Sequence, residues 1–486
     1  MKYLKIYVAL MVVFVLSSCT KDFEQINTNT NAPTENNPAT LLPSVIFEPM
    51  NPQMTLQTWL SDQIMHYYVR RNDNQIDGYD FANGQAFYDS YWRTTYAALS
   101  NINDMVSAAD EEGLDAYVAA GKIFKAYYQA QLSELWIDVP ASQAGLGTEN
   151  TTPSYDNQEA IYTQVLADLK EANTLLAGST GFVAGGDVLF GGDTERWQKL
   201  ANSLRLRYLL RLSNRSEINA ATEISTIVGD AITYPIITGN ADAGFYDFSG
   251  ISPNISSFSN QAITTFSGMS MSKRVQDVYE VYDDPRVDFF YRLPENTVNY
   301  PGHEGVPNGL TREAAQSWNG NGDANTSQLT TRFVENPGAL DYTIISHAEV
   351  QFILAEAAMN GWISGIPAGD YYNAGITANF DQWNITMPAG FLALPEVAWD
   401  DTPARLMDQK WMAYLFNNTI ESWGEYKRTG LPVLNIGALA TTVTNGVFPT
   451  RVYYPPLEQS INSANYNSAA SSIGGDNITA KHWYQN

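Results

Sequence analysis

Cysteine and histidine are scarce in this chain, and their scarcity excludes several kinds of chemistry. The 486 residues include one cysteine, Cys19, so no internal disulfide can form and no cluster of thiolates can bind a metal. The sequence has no His-Glu-x-x-His motif, no Gly-x-Ser-x-Gly motif and no phosphate-binding glycine loop. Its histidines are far apart: His66, His303, His347 and His482. We therefore predict no catalytic residues, no metal site and no cofactor.

Basic residues are few as well. Lys and Arg number 27 against 52 Asp and Glu, which gives a formal net charge of −25 at pH 7. So acidic a surface argues against nucleic acid or an anionic membrane as a partner. Because disulfides are excluded, the fold must be stabilised by a hydrophobic core, and a chain of this length can bury one.

The apolar run near the N-terminus is too short to cross a membrane. It covers residues 6–16, whereas a membrane-spanning helix needs about 20 residues. The run follows two lysines and leads into Leu16-Ser17-Ser18-Cys19. This pattern resembles a bacterial lipoprotein signal with its lipobox. The resemblance implies a signal peptide at residues 1–18 and lipidation of Cys19. The alternative is an uncleaved start with a buried free cysteine.

A polar segment follows the proposed anchor. From Thr20 to about Pro43, asparagines and prolines are interspersed with threonines. Such a segment buries too little apolar area to fold by itself. We therefore predict that residues 19–43 form a lipidated, flexible tether with a reach of roughly 25 Å. Residues 44–486 are predicted to form one large domain, since no second linker is evident.

Helical periodicity dominates the rest of the chain. Residues 114–136 carry an apolar stripe at helical spacing, and a second stripe follows an Asp156-x-x-Glu159 capping box and ends at Gly178. A third stripe covers residues 197–208. Two facing helices with a turn between them resemble one tetratricopeptide unit, and strand-like alternation is sparse. We therefore predict an all-α fold of tetratricopeptide-like helix pairs with long loop insertions.

The same helix signals recur in the second half of the chain. Ser346-x-x-Glu349 predicts another helix start, and Thr402-Pro403 predicts a helix that reaches about Gly424. The final segment is rich in Asn, Ser and Ala. Its composition predicts an irregular tail.

Two polar segments rich in aromatic residues are candidates for a ligand site. They lie between Asn72 and Gly84 and between Pro294 and Phe333. A sugar ring offers C–H bonds on its face and hydroxyls at its edge, so an aromatic plane beside hydrogen-bonding side chains suits it. The alternative is a pair of ordinary loops whose aromatic rings pack onto the domain. The predicted ligand-binding residues are Asp73, Asn74, Tyr79, Phe81, Tyr300, His303, Trp318 and Asn319.

Two other kinds of chemistry have weaker support in the sequence. The spacing Asn319-x-Asn321-x-Asp323-x-Asn325 alternates oxygen ligands that could suit calcium. It lacks the glycine and the terminal glutamate of an EF-hand, which favours a solvated polar loop. A folded chain could also bring two carboxylates together for glycoside hydrolysis, and this remains an alternative.

Several segments, spread from the signal to near the C-terminus, together resemble one family. They resemble the SusD/RagB-type nutrient-binding outer-membrane lipoproteins of Bacteroidetes. The segments are Cys19-Thr20-Lys21-Asp22, Glu195-Arg196-Trp197-Gln198-Lys199-Leu200-Ala201-Asn202-Ser203-Leu204-Arg205-Leu206-Arg207, Gln409-Lys410-Trp411, Glu421-Ser422-Trp423-Gly424-Glu425-Tyr426-Lys427-Arg428-Thr429-Gly430, Arg451-Val452-Tyr453-Tyr454-Pro455 and Gly474-Gly475-Asp476-Asn477.

The resemblance implies a helical domain with four tetratricopeptide-like pairs. Such domains sit as lids on SusC-like TonB-dependent transporter barrels in the outer membrane. They capture oligosaccharide, or in some members peptide, at the cell surface and help to load it into the transporter. The family's aromatic binding surface has no motif that can be transferred residue by residue, so the candidate site residues depend on loop composition alone.

These observations support one leading hypothesis. The chain is expected to be a lipid-anchored, cell-surface protein that binds an oligosaccharide and passes it to a TonB-dependent transporter without transforming it. The alternatives are a peptide-binding lipoprotein of the same architecture, a surface glycoside hydrolase, and a purely structural outer-membrane protein.

Overall fold

The computed structural model describes residues 37–486, except residues 74, 82–84, 267, 438, 440–442 and 486. The predicted signal peptide, the lipidation site at Cys19 and the tether as far as residue 36 lie outside the described residues. Within the described part of the chain, no helix is long and apolar enough to cross a membrane.

Helices dominate the described residues, with a few short strands. The α-helices are α1 (Pro38–Phe47), α2 (Met50–Leu56), α3 (Asp62–Ile64), α4 (Gln85–Glu112), α5 (Asp115–Trp136), α6 (Gln158–Gly178), α7 (Thr194–Arg211), α8 (Ala220–Gly229), α9 (Ile263–Phe266), α10 (Lys273–Tyr282), α11 (Arg286–Phe290), α12 (Arg312–Gln316), α13 (Gly322–Asn325), α14 (Arg332–Glu335), α15 (His347–Met359), α16 (Ala368–Gln382), α17 (Pro403–Tyr414), α18 (Thr419–Thr429), α19 (Pro456–Ile461) and α20 (Ser463–Ser472). The strands are β1 (Tyr68–Arg70), β2 (Gly244–Tyr246), β3 (Met269–Met271), β4 (Tyr291–Arg292), β5 (Gln328–Leu329) and β6 (Tyr342–Ile345).

The long helices pack on their neighbours in the chain. Helices α4 to α7 form one such series, in which each helix contacts the next. Helices α15 to α18 form a second, in which α15 also contacts α17. Eight helices packed in this way correspond to four helix pairs, so the predicted all-α, tetratricopeptide-like fold is confirmed.

Helix α6 has the predicted length but a different cap. The side chain of Asn157 accepts a hydrogen bond from the N–H of Ala160 at 2.8 Å. Asp156, the predicted cap, instead accepts from the N–H groups of Ala141 at 3.0 Å and Ser142 at 2.8 Å. The capping-box pattern therefore predicted the start of the helix to within two residues. Asp156 itself holds the preceding loop through its hydrogen bonds to residues 141 and 142.

Two helices occupy the stretch where one is predicted. Thr402 caps α17 as expected, but α17 ends at Tyr414 and α18 begins at Thr419. Between them Phe416 has a φ of 58°, a left-handed conformation that a right-handed helix cannot contain. The prediction of one continuous helix to Gly424 is therefore wrong.

The two ends of the domain contain more regular structure than predicted. Helix α1 begins at Pro38, and its residues Leu42, Val45 and Ile46 are fully buried. Residues 38–43 therefore belong to the domain, because the i, i+3, i+4 spacing of these side chains forms an apolar face. At the other end, α19 and α20 occupy part of the predicted irregular tail.

Two small antiparallel sheets are formed mainly by the insertion between α7 and α15. Strand β1, which precedes α4 in the chain, joins the larger sheet. The larger has the strand order β1-β3-β5-β4, and β2 pairs with β6. In the larger sheet Arg70 is opposite Met269, and Ser270 is opposite Gln328. Strand β3 thus lies between the chain around residue 70 and the chain around residue 328.

A buried ion-pair network joins both series of long helices. It consists of five cations and five carboxylates, whose side chains are at most 8% exposed. The cations are Arg207, Arg211, Lys410, Lys427 and Arg428, and the carboxylates are Glu134, Glu349, Glu356, Glu421 and Glu425. Its charges balance, so the network adds no net charge to the core.

Arg211 of α7 is the centre of this network. Its guanidinium nitrogens lie 2.7 Å from Glu134, 2.8 Å from Glu421 and 3.2 Å from Glu425. Burial alone would raise the pKa of Glu134, but Arg211 and Lys427 lower that pKa overall. An unpaired charge at this depth would be strongly unfavourable, so each member depends on its partners.

Another buried carboxyl lies beside the larger sheet. Asp77 follows β1 and accepts a hydrogen bond from the side-chain amide of Asn308 at 2.7 Å. Burial raises the pKa of Asp77 to about 7, and the bond from Asn308 partly offsets this rise. The Asp77 carboxyl therefore joins the loop after β1 to the loop that contains Asn308. Its ionised form destabilises the folded protein, because the charge is buried.

We expect Gly424→Ala to destabilise the protein by about 3–5 kcal/mol, the cost of disrupting a buried ion pair. A Cβ on Gly424 would overlap the guanidinium of Arg211 and displace it from its carboxylates. Urea denaturation measures the change. Gly229→Ala is the matched control, because it also lies in a helix and its Cβ would meet nothing within 4 Å. Equal stability of the two variants would contradict the role given to Arg211.

We expect Asp77→Asn to stabilise the protein at pH 8 but not at pH 4. The folded-state pKa of about 7 exceeds the ordinary value of 3.8, so stability that is present below pH 3.8 is lost as the pH rises through 7. Asparagine keeps an acceptor for Asn308 and cannot ionise, so the gain at pH 8 should be about 1–3 kcal/mol. Urea denaturation at both pH values measures it, with the exposed Asp110→Asn as control. A similar gain at pH 4 would refute the explanation.

Candidate functional site

Strand β1 supports the most prominent aromatic residue of the candidate site. Val69 of this strand is fully buried and forms a small apolar cluster with Val306 and Ala315. Trp318 packs against this cluster and remains partly exposed. Apolar contacts therefore hold Trp318 in place while part of the residue faces solvent.

Hydrogen bonds hold the neighbours of Trp318 in place. The hydroxyl of Tyr300 donates to the backbone carbonyl of Asn319 at 2.9 Å, and the side-chain amide of Asn325 donates to the same oxygen at 2.8 Å. Asn319 has a φ of 54°, which asparagine tolerates better than most residues. Tyr300 and Asn319 are both partly exposed. The structure thus brings together three predicted site residues.

His303 lies in the same segment and lines a cavity of its own. Its Nδ1 is 3.0 Å from the hydroxyl of Ser327, and its Nε2 is 2.9 Å from the carboxylate of Asp288. His303, Gly302 and Asp288 are among the residues that line a cavity of about 460 Å³ beside α10 and α11. The role of His303 in ligand binding stays a prediction.

The two predicted segments meet in space, although more than 200 residues separate them in the chain. An ion pair and two side-chain hydrogen bonds connect them. The pairs are Arg71 with Asp323, Asn72 with Gln316 at 3.0 Å, and Asp77 with Asn308 at 2.7 Å. Loops that carry few residues of regular structure are thereby fixed in one arrangement.

Asp73 belongs to a second group of partly exposed side chains. Its carboxylate lies 3.1 Å from Nη1 of Arg70, and the guanidinium of Arg70 lies 3.9 Å above the ring of Trp59. Trp59 in turn stacks on Phe87, with ring centroids 5.4 Å apart and planes inclined by 11°. Sequence reasoning missed Trp59, because its exposure depends on contacts with Arg70 and Phe87, which lie further along the chain.

Two predicted ligand contacts require correction. Tyr79 is 2% exposed and Phe81 is fully buried. The Tyr79 ring packs edge-on against Phe448 at 5.6 Å, and the carbonyl of Phe81 accepts a hydrogen bond from Tyr88. These rings fill the core, which is the alternative that loop composition left open. Asn74 lies outside the described residues.

The calcium alternative is not supported by the side chains that would supply its ligands. Asp323 pairs with Arg71, and Asn325 donates to the backbone of Asn319. Among the described residues, no group of three or more histidine or acidic side chains is arranged to hold a metal ion. The spacing of oxygen-bearing residues here serves the internal hydrogen bonds of a polar loop.

Helix α7, which carries much of the family resemblance, has a structural role. Trp197 and Leu204 are fully buried, and Nε1 of Trp197 donates to Asp187 at 2.8 Å. Arg207 and Arg211 of the same helix enter the ion-pair network. The resemblance in this helix therefore reflects how the fold is held together.

The sequence was also compared with known families and curated proteins. A family model, SusD-like, described as "Starch-binding associating with outer membrane", matches residues 30–455. A search of curated protein sequences found no match. The match covers most of the domain and includes the signature helix α7.

Several solved structures have similar folds, and they align with nearly the whole of this chain. A SusD homolog from Bacteroides fragilis NCTC 9343 is 26% identical with a TM-score of 0.76, over 93% of this chain and 99% of that one. A structure described as a chitin-binding protein is 28% identical with a TM-score of 0.80, over 92% and 100%. A chitin-binding SusD homolog from Flavobacterium johnsoniae, 22% identical, shares the fold with a TM-score of 0.76, over 92% and 98%. The family match and these shared folds agree, and the chain belongs to the SusD-like family of proteins that associate with the outer membrane.

Proposed function

We propose that this protein is a lipid-anchored, cell-surface protein that binds an oligosaccharide and passes it to a SusC-like TonB-dependent transporter. The observation that carries the proposal is the partly exposed Trp318, which packs on an apolar cluster and is followed by Asn319, whose backbone accepts a hydrogen bond from Tyr300. The family description and the chitin-binding protein of similar structure support a carbohydrate as the ligand. The N-terminal lipobox supports the anchor.

The chemistry of this surface suits a sugar ring. An indole offers an apolar face for ring C–H bonds, and the next residue, Asn319, binds the hydroxyl of Tyr300 through its backbone carbonyl. Because the Tyr300 hydroxyl and the Asn319 backbone bind each other, little conformational freedom is lost when a ligand arrives. Such a prearranged surface favours binding of a semi-rigid chain.

Capture without hydrolysis agrees with the state of the nearby carboxylates. A glycosidase needs two carboxyl groups that face one glycosidic bond. Here Asp323 is paired with Arg71, Asp288 with His303, and Asp73 with Arg70. These pairings, together with the family description as starch-binding, support capture, so we infer that the protein binds its ligand and releases it unchanged.

We expect Trp318→Ala to weaken oligosaccharide binding at least tenfold, about 1.4 kcal/mol, because the stacking plane is lost. Calorimetric titration of residues 20–486 with maltohexaose, chitohexaose and a casein digest measures this, with the same mixtures analysed for cleavage products. Trp483→Ala is the matched control, because Trp483 is also a partly exposed tryptophan and lies outside the candidate site, beneath Arg215 at 5.0 Å.

The titration distinguishes the candidate functions. Binding of a hexasaccharide that Trp318→Ala weakens and Trp483→Ala leaves unchanged would support the proposal. Binding confined to the casein digest would replace it with peptide capture. Release of shorter sugars would replace it with hydrolysis.

The anchor and the partner can be tested together in the native host. We expect the wild-type protein to fractionate with the outer membrane and to co-purify with a barrel protein in mild detergent. Cys19→Ala should release it from the membrane or block its processing, since acyl chains provide the attachment. Membrane fractionation and mass spectrometry of the N-terminal peptide measure both results. Continued anchoring of the Cys19→Ala variant would contradict lipidation at Cys19. Reproducible purification of the wild type without a barrel protein would contradict the transporter partner.

A further inference from the structure

Three arginines in the second half of α7 have different surroundings. Arg207 and Arg211 belong to the buried ion-pair network: burial alone would lower the pKa of each guanidinium, but their carboxylate partners raise it overall. Arg205 lies outside this network and pairs with one carboxylate, that of Glu223 on α8. Burial lowers the pKa of Arg205, and Glu223 offsets this only in part. The charge of Arg205 is therefore less compensated than the other two.

One nitrogen of Arg205 has no hydrogen-bond partner among the described residues. The side chain is 4% exposed, and its Nη2 contacts Glu223, whereas Nη1 is buried and unpaired. A buried donor without an acceptor is unfavourable, and more so when it carries a charge. Arg205 can therefore donate to an acceptor that the described part of the chain does not supply.

Arg205 lies at the base of a groove between α6, α7 and α8. The groove has a volume of about 370 Å³. Arg205 and Leu209 are buried, whereas the other lining residues are partly or fully exposed, which places these two at its base. The apolar residues Leu166, Ala167 and Ile218 form part of its walls. The remaining lining residues are Glu159, Thr163, Lys170, Glu217 and Glu223. We call this feature the Arg205 groove.

Helices α6 and α7 run antiparallel along the groove. The side-chain amide of Asn202 donates to that of Asn173 at 2.8 Å. Further along, the rings of Tyr208 and Tyr162 have their centroids 6.0 Å apart. The C-terminal part of α7 therefore packs on the N-terminal part of α6.

This packing brings Lys170 to the same level of the groove as Arg205. Lys170 is three residues before Asn173, and Arg205 is three residues after Asn202, so both lie about one turn from the same hydrogen bond and in the same direction. Glu223 shares this end through its ion pair with Arg205. Two cations and one carboxylate make this end of the groove locally positive, although the protein has a net charge of −25.

The opposite end of the groove is acidic. Glu159 precedes Lys170 by eleven residues on α6, which is about 16 Å along the helix axis. Glu217 follows the C-terminus of α7, which is the end of α7 that packs on the start of α6. Between the two ends lie Leu166, one turn before Lys170, and Leu209. The groove therefore has a positive end, an apolar middle and an acidic end.

We propose that the Arg205 groove binds a small carboxylate that carries a short apolar chain. The carboxylate accepts hydrogen bonds from Arg205 and Lys170, since a guanidinium and an ammonium form strong, charge-assisted bonds with such a group. The chain packs on Leu166 and Leu209. A second carboxylate at the far end of the chain would be repelled by Glu159, so the groove favours monocarboxylates. No residue of this groove belongs to the candidate site, so the inference is independent of the proposed function.

Calorimetric titration of residues 20–486 with hexanoate, hexanamide and adipate tests the proposal. We expect saturable binding of hexanoate. Hexanamide, which lacks the charge, should bind at least tenfold more weakly, and adipate, which adds a second carboxylate, should also bind more weakly than hexanoate. Acetyl-leucyl-leucine carries the same chemical group at the end of a peptide. Its affinity relative to hexanoate distinguishes a peptide C-terminus from a free acid as the source of the carboxylate.

Variants of the groove locate the binding. Arg205→Gln should weaken hexanoate binding at least tenfold, and Lys170→Gln about fivefold, because an exposed ion pair contributes less. Ala167→Phe should abolish binding by filling the groove. Lys170 and Ala167 are exposed, so these two variants test the site even if Arg205→Gln unfolds. Lys481→Gln is the matched control, because Lys481 is also exposed and lies outside the groove.

The outcomes are distinct. Binding of hexanoate that the groove variants weaken and Lys481→Gln leaves unchanged would support the proposal. Adipate binding as tight as that of hexanoate would show a general attraction of anions and would overturn it. So would equal affinities of Ala167→Phe and the wild type. Absence of saturable binding by both hexanoate and acetyl-leucyl-leucine would refute the site and leave the proposed capture of oligosaccharide unaffected.

Discussion

The buried ion-pair network around Arg211 is the constraint on which the rest of the structure depends. Its members lie on α5, α7, α15, α17 and α18, so it joins helices from both series. Paired buried charges add little net stability, but an unpaired one is costly, so the network penalises any other arrangement of these helices. Gly424 shows how tightly it is packed, since a single Cβ there would occupy the space of the Arg211 guanidinium.

The network also positions the sheet that supports the candidate site. Lys410 binds Glu425 at 2.9 Å, and the next residue, Trp411, stacks on Tyr67 with ring centroids 4.8 Å apart. The Tyr67 hydroxyl donates to the backbone of Trp411 at 2.6 Å. Because Tyr67 directly precedes β1, the strand is fixed by the same helices that hold the charges. A rigid framework of this kind lets irregular loops present a defined surface.

The sequence allowed the helices to be predicted far better than the site, because periodicity is local and exposure is not. The stripe of α5 and the cap at Thr402 involve neighbours within a few residues. Whether Tyr79 faces solvent depends on Phe448, which lies hundreds of residues away, so a polar loop composition was misleading. Trp59 was missed for the same reason, since its exposure depends on Arg70 and Phe87, which lie further along the chain. Trp318 is partly exposed, as its polar loop predicts, and its role in ligand binding stays a prediction.

The charges at the candidate site explain how so acidic a protein can recognise a neutral chain. With a net charge of −25 the protein repels anions at a distance, and an unpaired arginine would attract them nearby. At the site, Arg70 is paired with Asp73 and Arg71 with Asp323, so each cation is offset by a carboxylate. These two arginines therefore add no net positive charge to the candidate surface. The proposed ligand would be recognised there through aromatic planes and directed hydrogen bonds, which distinguish the shape and hydroxyl pattern of a ligand rather than its net charge.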